Sequence, residues 1–186
     1  YPNVSFDPYG IYSTYTDRDG RLWFGTSSLG VCMFDGTAIR WLYKDHLTNT
    51  PGGGSFGIRA MIEDHDGHFW FCNTSERFTI PPQTAAGDRV QYTTGAGVEA
   101  KGDAHVPYFF SIAEDKDGDL WMGCGEDGVY HKHGDALVHY PITSNGERVR
   151  TFSVYVDHAG TLWVGTLGSG VYRYTGSDFE RFVPAG

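Results

Sequence analysis

Asp17-Arg18-Asp19-Gly20-Arg21-Leu22-Trp23-Phe24-Gly25-Thr26, with Gly30-Val31 after it, is the stretch from which the rest of the chain can be read. It returns around Asp64, Gly67 and Trp70, around Asp115, Gly118, Trp121 and Gly123, and around Asp157, Gly160, Trp163 and Gly165. The leading Asp always stands six residues before the Trp, and the Trp-to-Trp intervals are 47, 51 and 42 residues. Gly30-Val31, Gly128-Val129 and Gly170-Val171 close three of the four units. A period of this size with strand-like segments inside it is the mark of a propeller array.

Each part of the pattern has a physical reason. The Asp accepts hydrogen bonds from amides of the turn that follows, and the Gly takes the positive φ of that turn. The Trp offers a broad apolar face to a neighbouring blade, and its indole N–H needs one partner. The small residue two places on leaves room for a neighbouring backbone. The first unit then reads as four antiparallel strands: Ile11 to Thr16, Leu22 to Thr26, Val31 to Phe34 and Ile39 to Tyr43. Val4 to Phe6 is a spare edge strand in a turn-rich lead-in.

Extended to the whole chain, this predicts an all-β single domain over 1–186, a β-propeller of four four-stranded antiparallel blades at about 11–43, 58–92, 109–140 and 152–183. Its anchors are Asp17 and Trp23, Asp64 and Trp70, Asp115 and Trp121, and Asp157 and Trp163. Uncovered end blades expose apolar faces. Four blades therefore predict a closed four-bladed ring or half of a two-chain eight-bladed ring, the latter a homodimer. The second repeat is irregular, with Phe71-Cys72-Asn73-Thr74 and Arg77-Phe78 in place of the Gly-Thr and Gly-Val, and Pro81-Pro82 interrupting its third strand. Thr93 to Pro107 after it reads as the longest polar connector. Deviation from a packing repeat is where a function is expected.

Composition narrows the classes. With 186 residues the chain is long enough for a sizeable core. The net charge of −9, with only 14 Lys and Arg, argues against a nucleic-acid partner. No apolar run suggests membrane insertion, and no signal segment is visible. A chain beginning at Tyr1 is expected to be a processed or excised piece of a longer one. Cys32, Cys72 and Cys124 follow no metal spacing and read as small buried core residues.

The pattern Asp-x-Asp-Gly-x-Leu-Trp-x-Gly-Thr-x-x-x-Gly-Val, read at 17–31 and nearly matched at 115–129 and 157–171, resembles the two-component regulator propeller repeat. The resemblance covers almost the whole chain. It implies a sensory, ligand-binding propeller of the kind found in the extracellular parts of bacterial signal-transduction proteins, hence a periplasmic or extracellular location. The motif is also similar to the Asp-box of sialidase propellers, but lacks the Ser and Thr of that box.

Connectors between blades and loops before each Gly-Val usually line one face of a propeller. Arg59, Arg77, His105, Tyr108, Glu126 and Asp127 are therefore the expected ligand-binding residues, forming a pocket of mixed charge for a small or carbohydrate-like molecule. No catalytic motif is visible. The rival reading is a metal-dependent lyase or hydrolase using His105 and Glu126, since lyases with related propellers use a His and a Glu around magnesium. A third is a scaffold for protein–protein contact. No cofactor is expected. The Asp-x-Asp-Gly turns resemble the start of a calcium loop but lack its later ligands, so calcium or magnesium is a minor alternative. His131 and His133 alternate on a strand and face one side, a possible metal pair with no third ligand visible nearby.

Overall fold

The computed structural model describes residues 10–44, 47, 57–84, 87–98 and 108–184. The Val4–Phe6 strand, His46 and His105 of the sequence reading lie outside them. Among the described residues there is no helix. The chain divides into two compact units, 1–108 and 109–186, each holding two blades.

Blade 1 is β1 (Ile11–Thr16), β2 (Leu22–Thr26), β3 (Val31–Phe34) and β4 (Ile39–Leu42). Blade 2 is β5 (Met61–Glu63), β6 (Phe69–Phe71), β7 (Arg77–Thr79) and β8 (Thr93–Gly95). In the second unit, blade 3 is β9 (Ser111–Glu114), β10 (Leu120–Gly123), β11 (Val129–His133) and β12 (Ala136–Tyr140). A small hairpin, β13 (Thr143–Ser144) and β14 (Glu147–Arg148), precedes blade 4. Blade 4 is β15 (Thr151–Val156), β16 (Leu162–Thr166), β17 (Val171–Tyr174) and β18 (Phe179–Arg181). Within every blade the strands pair antiparallel in chain order.

Two details differ from the sequence reading. The fourth strand of blade 2 lies at Thr93–Gly95, inside what reads as connector, and pairs with β7. The segment between them instead lies along the outer edge of blade 1. The Trp41 amide donates to Asp88 O at 2.6 Å, and the Val90 amide to Trp41 O at 2.9 Å. This parallel bridge covers the edge of β4, which would otherwise present unpaired backbone groups. The β13–β14 hairpin turns on Asn145-Gly146, both at positive φ, the pair that a two-residue hairpin turn requires.

The repeat has one hydrogen-bond unit, built four times. Asp17 Oδ1 accepts the amides of Asp19 at 3.1 Å and Arg21 at 2.8 Å, while Oδ2 accepts the Trp23 indole N–H at 2.7 Å. Asp64, Asp115 and Asp157 do the same for their turns, each with its Trp indole at 2.7 Å. The partner that each indole needs is thus the Asp six residues before it. Indole and turn cannot move apart.

In the first blade of each unit that fixed indole packs into the second. Trp23 meets Phe69 and Phe71 of blade 2, with ring centroids 4.9 and 6.0 Å away. Trp121 meets Tyr174 at 4.8 Å and Phe179 at 6.4 Å in blade 4, within a core that includes Val129, Val154, Val164 and Tyr172. The glycine two residues after the Trp does what its place predicts. A Cβ on Gly25 would sit 2.5 Å from the carbonyl oxygen of Ile58, which enters blade 2. A serine stands opposite that glycine across the strand pair, and its hydroxyl also reaches the next blade. Ser13 Oγ donates to Ile58 O at 2.7 Å, and Ser111 Oγ accepts the Val154 amide at 3.0 Å.

The same face is more exposed in blade 4. Val31 and Leu42 of blade 1 are 0% exposed, whereas their counterparts Val171 and Phe182 are 41% and 43% exposed. Phe182 folds back to meet Trp163 edge-on at 5.1 Å.

Three measurements check this account. Gly25→Ala should cost more than about 1–3 kcal/mol in denaturant unfolding, because a backbone carbonyl stands in the way. Gly123→Ala, whose Cβ would find its nearest neighbour in a Val154 methyl at 3.3 Å, should cost distinctly less. Val31→Asp should cost more than about 2 kcal/mol and Val171→Asp, at an exposed position, less than about 0.5 kcal/mol; equal costs would mean that Val171 is buried in solution. Acid tests the turns. The Trp163 indole N–H, then the Thr161 amide, hold the Asp157 carboxyl below its usual range, and the Thr37 hydroxyl, then the Ala38 and Thr37 amides, hold Asp35 well below it. A depressed carboxyl pKa gives stability that is present above the unfolded value and lost as pH falls through the folded one. The denaturation midpoint should therefore hold down to about pH 5 and fall below about pH 4, less steeply in Asp157→Asn.

Candidate functional site

Every regular blade has two ends, and they differ in chemistry. In blade 3, β10 runs from the Asp115–Asp119 turn to the Cys124–Gly128 loop, so the turn and the loop lie at opposite ends. The expected ligand residues Glu126 and Asp127 are in that loop.

The structure gives them basic partners from the segment leading into blade 4. Glu126 Oε1 accepts Arg150 at 2.8 Å, and Asp127 Oδ1 accepts Arg148 of β14 at 3.4 Å. The Asp127 backbone carbonyl is in hydrogen-bond contact with the His139 ring. These side chains are well exposed, and such pairs contribute at most about 1 kcal/mol. Beneath them Thr151 Oγ1 donates toward the carbonyls of Gly125 at 3.0 Å and Gly128 at 2.9 Å, which fixes the loop. The rival lyase reading needs Glu126 as a catalytic group, and here it is engaged with Arg150.

Arg59, Arg77 and Tyr108 belong to the first unit. Arg59 lies over the Tyr12 ring at 4.8 Å, and its amide donates to Cys72 Sγ at 3.1 Å. Arg77 is exposed on β7, opposite Gly95. Tyr108 is half-buried at the end of the unit. Asn73, in the irregular part of blade 2, takes a left-handed φ of 66° and donates from Nδ2 to Gly57 O at 2.7 Å and Leu47 O at 3.2 Å. The departure from Gly-Thr in this blade therefore serves a connector. Cys72 and Cys124 are buried, and burial raises both thiols above the ordinary value; Cys32 is raised by burial as well.

The turn end of the second unit holds what sequence reading missed. Between blades 3 and 4 lies a cleft of about 320 Å³ lined by Asp115, Lys116, Asp117, Trp121, Thr161 and Tyr174. Ligand pockets begin at about this size. Its aromatic wall is fixed: the Tyr174 hydroxyl meets the Tyr140 hydroxyl at 3.1 Å, and burial, with that hydrogen bond, pushes the Tyr174 phenol up to about 12. Beside it, Asp119 contacts two imidazoles, His131 Nε2 at 3.0 Å and His133 Nδ1 at 2.8 Å. This is the histidine pair of the sequence reading, now with a carboxylate. The signal was present in the sequence: position 119 lies two residues before the Trp, on the same side of the blade as the two histidines, but this shows only once β10 and β11 are put in register.

Comparison with known proteins agrees with this architecture. A family model described as two component regulator propeller matches residues 5–28, 104–126 and 143–168, which hold the repeats of blades 1, 3 and 4. No curated protein sequence matches the chain. Among solved structures, a streptogramin B lyase is 18% identical with a TM-score of 0.62, over 96% of this chain and 56% of the other. Virginiamycin B lyase from Staphylococcus aureus is 15% identical with a TM-score of 0.64, over 97% and 57%. The extracellular domain of a proposed one-component system from B. thetaiotaomicron is 22% identical with a TM-score of 0.59, over 87% and 21%. At these identities the likeness is one of fold. The chain spans a little over half the length of the lyases and about a fifth of the extracellular domain.

Proposed function

We propose, for a chain whose repeats are those of the two-component regulator propeller family, that it is the recognition part of an extracellular or periplasmic bacterial sensor. Its ligand is a small polar molecule of carbohydrate-like chemistry, held in the cleft between blades 3 and 4. The observation that carries the reading is the pairing of family repeats with that cleft. The fold likeness to the extracellular domain of a one-component system supports the location.

The cleft suits such a ligand chemically. Asp115 and Asp117 offer acceptors to hydroxyl groups, Lys116 and Thr161 offer donors, and the Trp121 and Tyr174 rings give an apolar wall. Binding there touches the turn end of one blade and the wall of the next, so a ligand bridges two sheets. A bridge of that kind converts occupancy into a bias on how two blades pack, which is what a sensor needs to transmit.

The test uses thermal unfolding of the purified chain against a panel of mono- and oligosaccharides. A binding sugar should raise the midpoint in a concentration-dependent way, and at about 100 times its dissociation constant should add about 2.7 kcal/mol. Asp117→Ala and Lys116→Ala, both exposed, should keep the unliganded midpoint and abolish the rise. A panel with no effect, or a rise unaltered in both variants, overturns the cleft as the site.

A further inference from the structure

We propose that Asp119, His131 and His133 form a binding site for one divalent transition-metal ion of the zinc class, on blade 3. The inference goes beyond the sensor reading and does not depend on it.

The geometry comes from three repeat positions. Asp119 stands two residues before Trp121, His131 pairs across the strands with Trp121, and His133 is two residues further along β11. Residues two apart on a strand project from one face, so both imidazoles stand on the side from which Asp119 approaches. His131 Nε2 lies 3.0 Å from Asp119 Oδ2, and His133 Nδ1 lies 2.8 Å from both carboxylate oxygens. Around a tetrahedral ion with bonds of about 2.0–2.1 Å, neighbouring donor atoms stand roughly 3.3 Å apart. Each imidazole thus needs to part from the Asp119 carboxylate by only a few tenths of an ångström to admit an ion between them.

Two of the three ligands are held in place before any ion arrives. The His131 ring is stacked on the Trp121 indole at 3.8 Å with 5° between planes, and that indole is tied to Asp115. The Asp119 amide is bound by Asp115 Oδ1 at 3.0 Å, and its carboxylate is only 14% exposed. Asp115, whose carboxylate comes within 4.8 Å of the donor atoms of Asp119 and His131, adds negative charge behind the site. His133, exposed and already 2.8 Å from the Asp119 carboxylate, completes the set by turning toward the ion as the last ligand. Imidazole nitrogens with one carboxylate suit zinc, copper or nickel, whereas calcium and magnesium prefer oxygen donors throughout. Three protein ligands leave at least one position for water or an exogenous group.

The other regular blades show that this set is not demanded by the fold. The same three positions are Arg21, Met33 and Asp35 in blade 1, and Thr161, Arg173 and Thr175 in blade 4. There the residue before the Trp serves other ends; Arg21, for example, pairs with its own turn Asp17 at 2.6 Å. Blade 3 alone of these three spends all three positions on metal-binding side chains.

The experiment is isothermal titration of the untagged, chelator-stripped chain with zinc chloride alone, repeated with Asp119→Asn, His131→Gln and His133→Gln. One ion should bind per chain, and cobalt substituted at the site should give visible d–d absorption. Loss of a ligand's outer-shell partner costs about 10- to 100-fold in metal affinity, and loss of a ligand costs no less. Each variant should therefore weaken zinc binding at least about tenfold, while His158→Gln, in the blade 4 turn, leaves it unchanged. His133→Gln is the decisive variant because its side chain is exposed and its loss spares the core. Excess calcium or magnesium should not displace the zinc. Absence of zinc binding, or affinity unaltered by both Asp119→Asn and His133→Gln, overturns the site.

Discussion

One carboxylate serving a turn and an indole at once is the constraint from which the rest of this protein follows. A buried indole N–H left without a partner costs about 1–3 kcal/mol, and turn amides that point inward carry a similar demand. Asp17 meets both demands with its two oxygens, and so do Asp64, Asp115 and Asp157. The six-residue spacing is the length of chain that leaves a strand, turns, and brings the ring back over the acid. Because the ring is then fixed relative to its own hairpin, its apolar face becomes a fixed surface against which a second sheet can be fitted.

The fitting is not identical in the two units. Blade 1 closes on blade 2 through phenylalanines, with Gly25 and Ser13 letting the Ile58 backbone come close. Blade 3 closes on blade 4 through a tyrosine and phenylalanine cluster around Trp121, with Tyr140 and Tyr174 sharing a hydroxyl contact. Ring packing and a serine hydroxyl reaching the next backbone serve both joints, and Gly25 adds the closer backbone approach in the first. Blade 2 lacks both the gap and the hydroxyl: Cys72 stands where the others have Gly, and Ala60 where they have Ser. The substitutions go together, since a glycine gap is useful only when a hydroxyl is there to span it.

Much of this was legible in the sequence because the repeat writes each physical demand four times. The blades, the turns, the glycine gap and the small buried cysteines all follow from residue type and spacing. The partner of the indole was not recognised, although the constant six-residue interval states it. The serine ten residues before the Trp was missed as well, because a hydroxyl's partner on another blade cannot be inferred from one strand. The fourth strand of blade 2 was hidden for a different reason. Thr93-Thr94-Gly95 has no apolar alternation, and only pairing with Arg77–Thr79 makes it a strand. Site chemistry was least legible. Charged residues draw the eye to the loops before each Gly-Val, where Glu126 and Asp127 meet Arg150 and Arg148. The cleft and the His131–Asp119–His133 group instead lie at the turn end.

That displacement has a physical logic. In a repeat of this kind the identities of the leading Asp, the Gly and the Trp are fixed by folding, so a blade cannot vary them to gain new chemistry. The residue two before the Trp and the strand position opposite it are held to the same precision by the same hydrogen bonds, yet their side-chain type differs from blade to blade, from the buried Met33 to the stacked His131. Blade 1 uses them for Arg21 and Met33, blade 4 for Thr161 and Arg173, and blade 3 for Asp119 and His131. Positions that are rigidly placed but chemically unassigned are where a propeller can acquire a site at least cost to its stability. A loop site must add its own order to whatever chemistry it carries. At the turn end of blade 3 the order is already supplied by Asp115 and Trp121, so a change of side chain there is a change of chemistry and little else.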